Sequence, residues 1–124
     1  MQSKEITDLI IKSFYAVYNR LGFGFLEKVY ENALILELRA HHLEVESQKQ
    51  IHVFYRNEII GEYYADILVN NSVIIELKVA KELSDAHEAQ LINYLRATQI
   101  EVGLLLNFGK KAEFRRKVFS NQRS

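Results

Sequence analysis

Two carboxylates and a lysine stand where a β-sheet core should be apolar. Glu76 and Lys78 interrupt the run Val73-Ile74-Ile75-Glu76-Leu77-Lys78-Val79, and Asp66 interrupts Tyr64-Ala65-Asp66-Ile67-Leu68-Val69. Strand alternation places Glu76 and Lys78 on one face. Between the two runs lies Asn70-Asn71-Ser72, a turn composition. As a three-residue loop it pairs Val69 with Val73 and sets Asp66 opposite Glu76, whereas a two-residue turn sends the carboxylates to opposite faces. Opposed carboxylates with Cβ atoms about 5 Å apart repel one another, so the pair makes most sense with a cation between them. Hard oxygen donors suit Mg²⁺ or Mn²⁺, with water and substrate phosphate filling the remaining positions. The competing explanation is a structural ion pair of Lys78 with Asp66 or Glu76 at a sheet end, and these three residues alone leave it open.

The elements that must position this group follow from periodicity. Ile6, Leu9, Ile10, Phe14, Val17, Tyr18 and Leu21 recur at steps of three and four, which predicts a helix over about 4–21. Gly22 and Gly24 break the pattern, and Leu26, Val29, Tyr30, Ala33, Leu34 and Leu38 resume it to about 42. From Glu44 the period shortens. Ile51, Val53 and Tyr55 alternate, Arg56-Asn57-Glu58 reads as a turn, and Ile59 to Val69 is β-rich, so an antiparallel three-strand meander is expected. Ser84 can cap a helix with Asp85 and Glu88 in its first turn, running to about Thr98. It leads into the apolar run Val102-Gly103-Leu104-Leu105-Leu106-Asn107-Phe108, a strand buried on both faces, which makes the helix a crossover between parallel strands, right-handed by the general rule. Phe114 to Phe119 can add a last short strand. The fold class is α/β: a mixed sheet of antiparallel meander plus one parallel strand, flanked by helices, with residues 1–124 expected to form a single domain.

Those helices contribute further polar groups. His87, Gln90 and Tyr94 fall on one face of the crossover helix beside Leu91 and Leu95, and Glu27 and Tyr30 lie one turn apart just after Gly24. Tyr30 and Tyr94 are each, taken singly, ordinary core aromatics by type, and a histidine at a helix start is commonly a surface cap. Convergence of Glu27, Gln90 and Tyr94 onto the strand face of Asp66, Glu76 and Lys78 is what would lift the group above a surface ion pair.

Composition sets limits. There are no cysteines, which removes disulfides and thiolate metal sites and leans toward a reducing compartment. Sixteen basic and sixteen acidic residues balance to zero, which is not the profile of a protein that coats nucleic acid by bulk charge. The distribution is uneven: Lys110–Ser124 carries six basic residues and one acidic. That strip reads either as a solvated terminal segment or as a phosphate contact. The polar opening Met1-Gln2-Ser3-Lys4-Glu5 precedes no apolar run long enough for a signal peptide or a membrane span, so a cytoplasmic protein with no membrane association is expected.

Gly24-Phe25-Leu26-Glu27-Lys28-Val29-Tyr30 reads as Gly-x-x-Glu-x-x-Tyr. Together with Asp66, Glu76-Leu77-Lys78 and Gln90-x-x-x-Tyr94, it resembles the GxxExxY protein family, a compact branch of the PD-(D/E)XK nuclease superfamily. The likeness runs from the first helix to Asn107-Phe108-Gly109. Glu-x-Lys alone is a weak signal, and the addition of Glu27 and Gln90-x-x-x-Tyr94 makes it strong. The proline of the superfamily motif is absent, Ala65 preceding Asp66. The resemblance implies a restriction-endonuclease-like core and a nuclease that hydrolyses phosphodiester bonds, acting on DNA. It implies Mg²⁺ or Mn²⁺ on Asp66, Glu76 and the Leu77 carbonyl, with Glu27 a direct or water-mediated ligand. Lys78 would orient or activate water, and Gln90 and Tyr94 would position the phosphodiester or brace Lys78. The alternative is a catalytically silent nuclease-fold module that binds nucleic acid or a protein. A chain this small offers little surface to grip a duplex, so a homodimer or a partner chain is a further expectation.

Overall fold

The computed structural model describes residues 1–120. Three helices flank one five-stranded sheet: α1 (Ser3–Leu21), α2 (Glu27–Ala40), β1 (Val45–Tyr55), β2 (Glu58–Val69), β3 (Val73–Lys78), α3 (Asp85–Arg96), β4 (Val102–Phe108) and β5 (Ala112–Val118). The strands lie in sequence order across the sheet. β1, β2 and β3 form the expected antiparallel meander, β3 and β4 run parallel through α3, and β5 returns antiparallel to β4.

The sheet separates two cores. On one side α1 and α2 pack Ile10, Phe14, Tyr30 and Leu34 onto Ile67, Ile75, Leu77, Leu104 and Leu106. On the other, α3 packs Leu91, Tyr94 and Leu95 onto Ile51, Ala65, Leu68, Ile74 and Leu105. β3 and β4 therefore contribute to both cores, which is why their sequences are nearly continuous apolar runs. Gly103 permits the close approach of α3, since a Cβ there would lie 2.7 Å from the Leu91 side chain.

Turn chemistry fixes the register. Arg56 and Asn57 both adopt positive φ, 50° and 66°, and form a two-residue turn with Tyr55 opposite Glu58, one residue tighter than the sequence suggests. Asn70 and Asn71 also take left-handed φ, and the Ser72 amide donates to the Val69 carbonyl at 2.9 Å, closing a three-residue loop with Val69 opposite Val73. The register expected of the hairpin is thus the observed one.

Candidate active site

The row of the sheet that carries Asp66 is broken on both sides. β1 and β2 pair at Ser47 with Ile67 and at Lys49 with Ala65, skipping Gln48 and Asp66, and the β2–β3 ladder stops at Ile67 with Ile75. Side chains take over where the backbone ladder ends. The Asp66 amide donates to Glu76 Oε2 at 2.8 Å, and the Leu77 amide donates to Asp66 Oδ2 at 2.8 Å. Each carboxylate thereby satisfies one backbone amide through one of its oxygens.

The same row is a change of face. Ala65 belongs to the α3-side core and Ile67, two residues on, to the α1/α2-side core. Regular alternation would put them together. The turnover coincides with Gln48, whose φ of 54° is left-handed in mid-strand. Sequence offers no sign of this, because Gln, unlike Gly or Asn, has no preference for that region.

Glu76 is 4% exposed. Burial, reinforced by repulsion from Asp66, pushes its carboxyl up to about 8, against the pull of the Asp66 amide and the Lys78 ammonium. Burial also raises Asp66, countered first by the Leu77 amide, and Glu31 adds repulsion while Lys78 and a hydrogen bond from Gln48 oppose it. Glu27 is raised by burial and by the Asp66 charge, with Lys78 opposing. Lys78 thus lies in the field of all three acids. Tyr94 is pushed up to about 12, by burial first and then by Glu76, Asp66 and Tyr63, so its hydroxyl keeps its proton.

The motif around Glu27 has a structural logic. Gly24, at φ 113°, needs glycine's freedom in the loop after α1. The Tyr30 hydroxyl pins that loop, donating to the Gly22 carbonyl at 2.6 Å and accepting from the Phe25 amide at 3.2 Å, while its ring stacks on Phe108 at 4.5 Å. Glu27 is then the first residue of α2, set toward Asp66.

The expectation that Glu27, Gln90 and Tyr94 reach one strand face is corrected. α2 and α3 pack on opposite faces, and Glu27 and Tyr94 share the Asp66 environment because the sheet turns over between them. Gln90 is exposed and makes no side-chain hydrogen bond among the described residues. His87 serves as a cap: its Nδ1 accepts from the Ser84 amide at 3.1 Å, and its own amide donates to Ser84 Oγ. Within the basic strip, Lys117 pairs with Glu88, and Arg115 pairs with Glu113 at 3.3 Å and Glu88 at 3.8 Å, so these two cations tie β5 to α3. Arg123 lies outside the described residues.

Three residues escaped the sequence reading. Glu31, 3% exposed, accepts from Lys28 at 2.9 Å, Ser47 at 3.2 Å and Gln48 at 3.1 Å, and its charge reaches Asp66. The signal was available, since Glu31 lies one turn after Glu27 on the same face. Gln48 was marked only by standing opposite Asp66. Asn107, buried beside Lys78 in the register, clamps the chain after β3: its amide accepts from Ala80 N at 2.8 Å and donates to Ala80 O at 2.9 Å.

The donor set fits a hard cation in part. Asp66 and Glu76 bring carboxylate oxygens to a site where burial raises both acids, and the nearby Leu77 carbonyl is a third oxygen of the right kind. Among the described residues, however, no three His, Cys, Asp or Glu side chains gather closely enough to hold an ion between them. Glu27 therefore does not close a three-carboxylate cluster with Asp66 and Glu76 in this structure.

A three-layer arrangement with an acid pair and lysine at the break of its central hairpin is the architecture of a PD-(D/E)XK restriction-endonuclease-like fold. The PD-(D/E)XK nuclease superfamily model matches residues 4–117, and the chain belongs to that superfamily. A solved structure described as the crystal structure of SSO0001 is similar, with TM-score 0.57 and 20% identity over 96% of this chain, which speaks to fold alone. The chain spans 61% of that protein's length. No curated protein matches the sequence.

Proposed function

We propose that the chain is a divalent-metal-dependent nuclease that hydrolyses phosphodiester bonds in DNA. The observation that carries this reading is the broken row, in which Asp66 and Glu76 replace backbone pairing and set their carboxylates in the field of Lys78. Building such a row exchanges ladder hydrogen bonds for buried like charges, a cost that structure alone does not repay. Mg²⁺ or Mn²⁺, general among nucleases of this superfamily, would sit on Asp66, Glu76 and the Leu77 carbonyl, neutralise the pair and lower the pKa of bound water. Lys78 would orient that water and offset charge growing on the phosphate. Tyr94, keeping its proton, can donate to a phosphate oxygen. Gln90, exposed beside it, would touch substrate. Glu27 would hold a second water.

Two measurements test this. Calorimetric titration of Mg²⁺, Mn²⁺ or Ca²⁺ should give binding heat that Asp66→Asn and Glu76→Gln each remove, and an absence of heat in the native protein refutes the metal site. Plasmid, linear and single-stranded DNA incubated with Mg²⁺ or Mn²⁺ should be cut, and Lys78→Ala should slow cutting by at least about a hundredfold. Metal binding without cleavage of any substrate would instead favour a silent binding module.

A further inference from the structure

Beyond the Asp66 row the β1–β2 hairpin continues without β3, which pairs with β2 only at residues 67–69. From Gln48 to Phe54 it extends seven residues, about 20 Å of strand. Between this arm and α3 lies a groove of about 900 Å³. One wall presents His52, Phe54 and Tyr63, and the other Gln90, Asn93 and Tyr94. Phe54 is 60% exposed and Tyr63 47%, so both rings offer apolar surface to a ligand. Tyr94 stands at the inner end, 5.8 Å from Tyr63 ring to ring, with its hydroxyl in the field of Glu76 and Asp66. Tyr94 thus links the groove to the acid pair.

Its chemistry is selective. Among the described residues no acidic side chain lines it, and Arg96 adds a positive charge. The side-chain amides of Gln90 and Asn93 make no hydrogen bond among the described residues, leaving donors and acceptors directed at the groove rather than at the protein. Exposed aromatic rings on one wall and unbonded side-chain amides on the other suit the two surfaces of a nucleobase, its face and its edge. In a duplex the face is hidden by stacking and the pairing edge by its partner, so only an unpaired base offers both.

We infer that the groove between the β1–β2 arm and α3 binds unpaired nucleotides next to the scissile phosphate, which makes single-stranded or frayed DNA the preferred substrate. The inference rests on the nuclease reading for the word substrate, but the binding site does not need cleavage to exist.

The test uses the full chain and a short fluorescent oligothymidylate, with a duplex of equal length as control. Anisotropy is read in Ca²⁺ and again in EDTA. Phe54→Ala removes an exposed ring and should leave the thermal transition unchanged while weakening single-strand binding between about 5-fold and 100-fold. Asn93→Ala should weaken it less, and duplex binding should be unaffected by either. In cleavage assays Phe54→Ala should raise KM on single strands and leave kcat in place. Oligothymidylate affinity unchanged in Phe54→Ala overturns the groove, and so does a native dimer that the same variant splits, because the arm would then be an interface between copies. Binding lost in Phe54→Ala with no cleavage by the native protein keeps the groove and removes the nuclease reading. Cleavage indifferent to Phe54→Ala does the reverse.

Discussion

Gln48 provides the most discriminating check on the site's construction, because glycine and alanine should change places there. At an ordinary strand position glycine is less stable than alanine by about 0.5–1 kcal/mol. Gln48 holds a φ of 54°, a region that L side chains enter at a cost of roughly 1–2 kcal/mol. Its amide also donates to both Glu31 oxygens, at 3.1 and 3.3 Å. A hydrogen bond to a charged group contributes about 1.5–3 kcal/mol, and the exposure of Gln48 argues for the lower end. Gln48→Ala keeps the backbone cost and loses the bonds, so it should destabilise by about 1.5 kcal/mol. Gln48→Gly loses the bonds but releases the backbone, and should lie about 1 kcal/mol above the alanine variant. Urea denaturation with a common m-value reads the difference. Both variants also remove a bond that opposes the upward shift of Asp66, so both should lose Mn²⁺ binding at a higher pH than the native protein as the solution is acidified. Alanine equal to or more stable than glycine would show that the left-handed residue, and with it the turnover at Asp66, has been misread.

The pH response of Glu76 has a definite sign. Raised from 4.5 to about 8, its carboxyl holds a proton in the fold that the unfolded chain has released, so metal-free stability should fall as pH rises across that window, with a ceiling on the order of 5 kcal/mol. Denaturation in EDTA at several pH values should show the slope, Glu76→Gln should flatten it, and Mg²⁺ or Mn²⁺ should restore stability most at the alkaline end. A flat profile in the native protein counts against the buried charge. Gly109→Ala should lower the thermal midpoint, by about 2 kcal/mol or more in stability, because the new Cβ would meet the Ala80 carbonyl at 2.1 Å and disturb the Asn107 clamp; an unchanged midpoint would mean that the chain after Lys78 yields freely. Tyr30→Phe keeps the stack on Phe108 but loses both hydroxyl bonds, so about 1–2 kcal/mol should go, with faster amide exchange over the loop after α1 as the local readout.

Register and burial were legible in the sequence because each had a local cause. Asn70 and Asn71 accept the left-handed turn that a three-residue loop demands, and the apolar runs of β3 and β4 announce strands covered on both sides. The candidate acids could be read for the same reason, since a carboxylate inside an apolar strand is conspicuous. What stayed hidden was the way the row is put together. Alternation assumes a regular strand, and the site forms where β1 and β2 stop being regular: Gln48 turns left-handed, Ala65 and Ile67 part to different cores, and carboxylates stand in for the ladder. That irregularity is what lets Glu27, from the helix layer on one side, and Tyr94, from the other, act on one pair of acids. In an ideal flat sheet those two side chains would be separated by the thickness of the strands themselves. The strained residue and the acid pair are hence features of one device, and relieving the first should loosen the second.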